Sequence, residues 1–377
     1  MAVRVTKPAF NVREKLTELD LPKGKHGIQV LKSNSLKETC ELVGSGRRNL
    51  LINGGFDVWQ RGNTFTTPSA HYYAADRWII YRSSNSHTTT TRESFNVGQS
   101  EVPGNPRHFM RVSNVPDPDS TWIEVAQHIE DVTQFSDKWV TLSFWMRANK
   151  PQENNEDYWA LQYNFGTGGS PSSSYRVAMT PKFDVYTQWT YYEFPLYLAD
   201  IQGKTIGTNG KNTSSLKVQL LRDSAVDNDT YYDFANVQLE FGRGATPFEK
   251  RSYGEELALC ERYYEIISPG GGLAMWSWDN NSGGTNIFFK TKKRVIPTFT
   301  YTGTLSNNAS SSSDHIGVYA SSLGWRSWGN FSMSEASTDA VRIMASSMGS
   351  WSSGQSIGIY FYNNAAINAH SDFAWAI

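Results

Sequence analysis

The side chains of this 377-residue chain that could do chemistry are plentiful but scattered. Its seven histidines (His26, His71, His87, His108, His128, His315 and His370) include no i, i+4 pair and no zinc-protease motif. Glu153, Glu156 and Asp157 share one polar stretch, and a glycosidase needs only two carboxylates, yet a run of acids is more often a solvated loop. Gly270-Gly271-Gly272 follows a predicted helix, whereas a phosphate cradle precedes one. No Gly-x-Ser-x-Gly elbow lies between a strand and a helix. The residues assign no catalytic set, and the expectation is a protein that is not an enzyme.

The chemistry they do offer is stacking. Sugar rings lay their C–H faces on flat aromatics while their hydroxyls need polar partners. Trp276-Ser277-Trp278-Asp279-Asn280-Asn281, Trp325-Arg326-Ser327-Trp328, Trp351 and Tyr319 supply both types within a Ser- and Asn-rich stretch. Trp276, Trp278, Tyr319, Trp325, Trp328 and Trp351 are therefore the candidate glycan-binding residues, the bland alternative being aromatics of a core or a trimer interface. Composition agrees: 14% of residues are aromatic, with 13 Trp and 19 Tyr beside a 39% hydrophobic fraction. Trp and Tyr carry a polar handle suited to wet surfaces. A net charge of −1 argues against a general nucleic-acid binder. Cys40 and Cys260 lie far apart without metal-ligand spacing and read as free thiols. MAVRVTKPAF lacks the apolar core of a secretion signal, and no run reaches membrane-spanning length. The expectation is a soluble product of a cytoplasm with no membrane insertion, which leaves room for later release in a virion.

Four segments must position these groups. Residues 1–48 hold ten Lys/Arg against five Asp/Glu. Asn11 with Glu14, and Ser35 with Glu38, have capping-box spacing and predict two short helices. Phe10, Val12, Leu16, Leu19 and Leu36 would give such an arm an apolar docking surface, the bland alternative being an ordinary solvated extension. Residues 49–250 read as antiparallel strands with one wet face each, separated by Gly, Ser, Asn and Pro clusters. Asn49–Gly62 opens this region with an expected first strand at 50–52 and an Asn53-Gly54-Gly55 turn. Further strands are predicted within Ala75–Tyr81, Phe109–Val112, Trp139–Arg147, Leu216–Leu220 and Phe234–Leu239, with exposed loops at 149–157 and 166–174. Leu257, Cys260, Tyr264 and Ile267 keep helical spacing and predict one spacer helix over 251–267. Residues 268–377 turn β-rich again, with strands expected at 287–289 and 357–362. The fold class is all-β: a jelly-roll β-sandwich, a short helix and a second β-rich domain, preceded by an arm carrying short helices.

NLLINGGFDVWQRG at 49–62, AADRW at 74–78, QHIEDVTQFSDKWVTLSFWMRAN at 127–149 and DFANVQLEFGRGATPFEKRSYGEELALCERYYEI at 233–266 resemble segments of tailed-bacteriophage fibre and receptor-binding virion proteins. KPAFNVREKLTELD in the arm is similar to N-terminal segments of such proteins from podovirus-like phages. The resemblance covers most of residues 1–266. It implies a homotrimeric virion fibre, held to a phage tail or capsid protein through residues 1–48 and touching host cell-surface polysaccharide with its distal end. A capsid-decorating or architectural fibre, or a tail enzyme that degrades polysaccharide, are the rival readings. The middle segment also resembles jelly-roll carbohydrate-binding modules, in which an opening Gly-Phe-acid and a closing Asp help hold a structural Ca²⁺. Gly55-Phe56-Asp57 and Tyr232-Asp233-Phe234 stand there in this chain, so Asp57 and Asp233 are either cation ligands or hydrogen-bond acceptors at turns and strand edges. No other cofactor is implied.

Overall fold

The computed structural model describes residues 48–373 apart from 67–70, 83–86, 116–122, 223–229, 269–271, 280, 306–314, 321–323, 327–329, 347–356 and 363. The two arm helices, and with them Phe10, Val12, Leu16, Leu19 and Leu36, lie outside the described residues. The first module contains β1 (Thr64–Thr66), β2 (His71–Tyr73), β3 (Ile79–Arg82), β4 (His87–Ser94), β5 (His108–Val115), β6 (Ile123–Glu130) and β7 (Lys138–Ala148). It continues with β8 (Gln152–Asn164), β9 (Tyr175–Met179), β10 (Phe183–Val185), β11 (Thr190–Leu198), β12 (Ser215–Arg222) and β13 (Tyr231–Phe241). One sheet runs β1-β4-β5-β13-β7-β11; the other runs β10-β8-β12-β6-β3-β2, with β9 beside β8. All these pairings are antiparallel.

The strand pattern of β7 shows why a sandwich forms. Val140, Leu142, Phe144 and Met146 alternate inward and are fully buried. Phe144 meets Trp159 of the facing sheet at a ring separation of 5.2 Å. Each such side chain contributes about 1.5–3 kcal/mol on leaving water. The other face of β7 is drier than period two alone predicts, since Thr141 and Ser143 are buried as well. A second apolar cluster, with Val102, Phe109, Trp189 and Ala235 at its centre and Phe95 and Trp145 at its margin, roofs part of that outer face.

Two local expectations change. Leu50–Ile52 is an irregular segment and not a strand, with Leu51 buried between two half-buried neighbours. Side chains compete successfully for its backbone. Asn49 Oδ1 accepts from the N–H groups of Leu51 (3.0 Å) and Leu239 (3.2 Å), and Ile52 N–H donates to Gln127 Oε1 (2.8 Å). The expected loop at 149–157 is largely strand, because β8 begins at Gln152 and takes Asp157 into the interior.

The helix also stops early. It spans Tyr253–Glu261, capped where Ser252 Oγ accepts from Glu255 N–H at 3.3 Å. Tyr264 and Ile267 then belong to β14 (Tyr264–Ile267), whose aromatic and β-branched residues pair with a distant strand. The distal module adds β15 (Gly272–Ser277), β16 (Gly283–Phe288), β17 (Thr298–Thr302), β18 (Thr304–Leu305), β19 (His315–Ala320), β20 (Gly324–Arg326), β21 (Asn330–Ser334), β22 (Ala340–Ser346), β23 (Ile357–Tyr362) and β24 (Ala366–His370). Strands β14-β24-β17 make one sheet, and β18-β19-β23-β15-β16-β22-β21 make another, with β20 beside β19. Ile316, Val318, Ile343, Ile359 and Ile367 are at the centre of its core.

Candidate functional site

The outer face of the six-stranded sheet carries a cavity of about 600 Å³. Period two sends Ser143 and Trp145 from β7, and Tyr191 and Glu193 from β11, onto this face. Register then makes them neighbours: Trp145 stands opposite Tyr191 and Ala235, and Ser143 opposite Glu193 and Gln238. The Trp145 and Tyr191 rings lie 5.5 Å apart at 47°. Between Ala235 and Gln238 the β13 register slips, and Asn236 at φ 50° points into the cavity wall. Asn236 Nδ2 donates to the Pro103 carbonyl at 3.3 Å, tying the 95–107 loop across the sheet.

The opening Asn-Gly-Gly turn builds the opposite wall, and it docks on the same bulge. Val237 N–H donates to the Gly54 carbonyl at 2.9 Å. A Cβ on Gly54 would fall 2.0 Å from the Val237 oxygen, so only glycine fits. Gly55 and Asp57 then line the cavity with Ala245, Thr246, Pro247, Phe248 and Lys250.

Polar groups are held in place around the rings. Glu193 Oε1 accepts from Ala245 N–H at 3.1 Å, and the Tyr191 hydroxyl donates to Glu193 Oε2 at 3.5 Å. A tyrosine hydroxyl is a donor at neutral pH in any case, and partial burial raises this one's pKa further. Asp57 Oδ1 pairs with His108 Nδ1 at 2.7 Å. The result is an aromatic floor with two carboxylates, an ammonium from Lys250 and the Ser143 hydroxyl around it. Flat apolar rings bordered by fixed acceptors and donors suit a polyhydroxylated ring.

Asp57 is therefore at the site, but not with Asp233. Asp233 is fully buried on the same face, where Arg111 donates to it through Nε and Nη2 (2.7 and 2.9 Å) and Arg147 through Nε (2.9 Å). Two guanidinium groups supply the positive charge there. Among the described residues no three His, Cys, Asp or Glu side chains are grouped to hold a metal.

Of the distal candidates, Trp276, Trp278 and Tyr319 are 64%, 47% and 36% exposed on the eight-stranded sheet. Glycines lay some of its rings flat: a Cβ on Gly284 would meet the Trp278 ring at 2.6 Å, and one on Gly272 the Tyr360 ring at 2.6 Å. Trp325 belongs to β20 opposite Tyr319, but its side chain lies outside the described residues, as do Trp328 and Trp351 entirely. Sequence reasoning missed Trp145, Tyr191, Glu193 and Asn236. The available signal was the aromatic content of the polar-facing positions of β7 and β11, where alternation indicates a surface but not what covers it.

The architecture is all-β, with a two-sheet antiparallel sandwich as its first module. No family model and no curated protein matches the sequence. Among solved structures, a cyclase from Fischerella sp. TAU in complex with 4-(1H-indol-3-yl)butan-2-one is similar at 11% identity and a TM-score of 0.35, covering 53% of this chain and 100% of that one. The family 11 carbohydrate-binding module from Clostridium thermocellum, in complex with a β-1,3-1,4-mixed-linked tetrasaccharide, gives 12% identity and a TM-score of 0.27, covering 47% and 95%. An arabinose-bound α-L-arabinofuranosidase gives 17% and 0.31, covering 53% of this chain and 28% of the enzyme. At these scores none carries an argument about ligand or reaction. The expectation that the chain is not an enzyme is withdrawn: the structures of similar fold include enzymes as well as a binding module, so the fold does not decide between them.

Proposed function

We propose that this chain binds polysaccharide in the cavity over Trp145 and Tyr191. In the fuller reading it does so as a homotrimeric virion appendage, with residues 1–48 held by a phage tail or capsid protein and the distal module turned to host-surface polysaccharide. The observation that carries the binding reading is the pairing of two offset rings with Glu193, Asp57 and Ser143 around one cavity of about 600 Å³. The fibre reading rests on the resemblance of residues 1–266, and the exposed Trp276, Trp278 and Tyr319 are its second contact surface. Symmetric copies raise a weak single-site affinity through effective concentration.

The test is retention of the purified full chain on a panel of bacterial-envelope and plant polysaccharides, with reducing ends assayed in the same samples. Trp145→Ala and Tyr191→Ala are expected to lower retention at least tenfold with circular dichroism unchanged. Retention by none of the panel, or retention indifferent to both substitutions, would overturn the binding reading. New reducing ends would assign cleavage to the chain. Sedimentation of the full chain as a monomer would remove the trimer.

A further inference from the structure

The distal module meets the sandwich along a buried, charged seam. Asp372, just after β24, accepts from Arg61 and, at 3.3 Å, from Arg77 Nη1. The Arg61 guanidinium lies 3.6 Å from the centre of the Tyr264 ring, and that of Arg77 lies 3.3 Å from Tyr263. Arg77 also donates to the His128 carbonyl. Arg294 donates to the carbonyls of Ser371 (2.7 Å), Asp372 (3.0 Å) and Asn212 (2.9 Å). Arg262 makes two 2.7 Å bonds to Glu130, which also accepts from the Tyr263 hydroxyl at 2.5 Å. Asp76 faces Arg61 and Gln60, and Gln60 Nε2 reaches the Tyr264 carbonyl at 3.0 Å. Four guanidinium groups thus face three carboxylates.

Two buried imidazoles share this seam. His128 stacks on Phe373 with ring centres 5.1 Å apart, and its Nδ1 is 3.0 Å from Ser215 Oγ. The cations Lys217, Arg77 and Arg294 act on it, with Lys217 paired to Glu124 and Arg77 to Asp372. His370 packs on the Tyr264 ring at 5.1 Å, with Nε2 2.8 Å from Thr300 Oγ1, and faces Arg61 and Asp372.

We propose that the seam is an acid-sensitive joint, in which protonation of His128 and His370 loads positive charge onto a contact already rich in guanidinium groups and frees the distal module from the sandwich. A buried charge is costly unless it is paired. Burial and the neighbouring cations hold both rings neutral, His370 down to about 4 and His128 well below the usual imidazole range. Sign decides the direction. A group whose pKa is lower in the closed joint than in the open one favours closure above its open value and withdraws that support as pH falls. Glu130, whose pKa Arg262 and Tyr263 lower against the effect of burial, acts the same way. Asp76, raised by burial to about 6, opposes them, leaving three groups against one.

Hydrogen exchange on the full chain, corrected for the intrinsic pH dependence of exchange, tests this between pH 7 and 4. Because β14 is the edge strand of its sheet and Gln60 and Arg61 of the sandwich brace it at Tyr264, release lets it fray: amides of β14 and β24, together with Arg294 and Ser371, are expected to lose at least tenfold protection with a midpoint between pH 6 and 4, while those of β7 and β12 keep theirs. The pair His128→Gln with His370→Gln should lower that midpoint by a pH unit or more, and Asp372→Asn alone should raise it. Joint loss across seam and sandwich strands, no loss by pH 4, or a midpoint indifferent to Asp372→Asn would overturn the proposal.

Discussion

Gly54→Ala tests the way the opening turn is built into the sandwich. The added methyl would sit 2.0 Å from the Val237 carbonyl oxygen and 3.1 Å from Asn49 Nδ2. Neither neighbour can yield cheaply: one is backbone of β13, and the other donates to that same Val237 oxygen at 3.1 Å. Relief requires the turn to withdraw, which breaks the 2.9 Å bond from Val237 N–H to the Gly54 carbonyl. A buried polar group left unpaired costs about 1–3 kcal/mol, and forcing an extra carbon into a packed site about 1–3 kcal/mol more. The expected loss is therefore roughly 2–6 kcal/mol. Urea titration of the full chain, followed by tryptophan fluorescence, reads it as a lower midpoint. Polysaccharide retention should fall too, because Gly55 and Asp57 leave the cavity wall with the turn. Gly254→Ala is the control, in a helix where no atom lies within 4 Å of the new carbon, and it should be neutral or stabilise by about 0.5–1 kcal/mol. A Gly54→Ala protein within about 0.5 kcal/mol of wild type would refute the docking argument, since that is the spread of ordinary surface changes.

Further expectations can be checked on the same protein. Asp233→Ala leaves Arg111 and Arg147 facing each other without their shared carboxylate and should cost about 3–5 kcal/mol in the same titration, whereas Asp233→Asn should cost less. Because burial raises Asp76 to about 6, wild type sheds up to about 3 kcal/mol as pH climbs from 4 through 6, so the stability of Asp76→Asn relative to wild type should rise across that window. A flat difference would show that the carboxyl is not perturbed. Cys260 is buried and its thiol pKa is pushed well above the usual range, so in a Cys40→Ser background iodoacetamide should label it only after denaturation. Labelling of the native protein at the denatured rate would contradict its packing.

Much of the fold was legible in the linear order of residues. Period-two alternation at Val140, Leu142, Phe144 and Met146 answers to one local rule, that successive strand side chains point to opposite faces, and the structure buries all four. Asn53-Gly54-Gly55 was legible as a turn because the preferences of asparagine and glycine are local too. What sequence could not supply was partnership. The need for glycine at 54 comes from Val237 on a distant strand, and the end of the helix at Glu261 comes from β24 capturing Tyr264–Ile267 as a strand. Asp57 and Asp233 carry the same charge, yet one faces an imidazole in a cavity and the other is neutralised by two arginines. Trp145 looked like one more residue of a wet face until register set it beside Tyr191 and the 95–107 loop closed over its neighbours. Residue type and spacing determine which face a side chain takes, because that geometry is local. Which groups it then meets depends on long-range register, and only the folded sheets decide it.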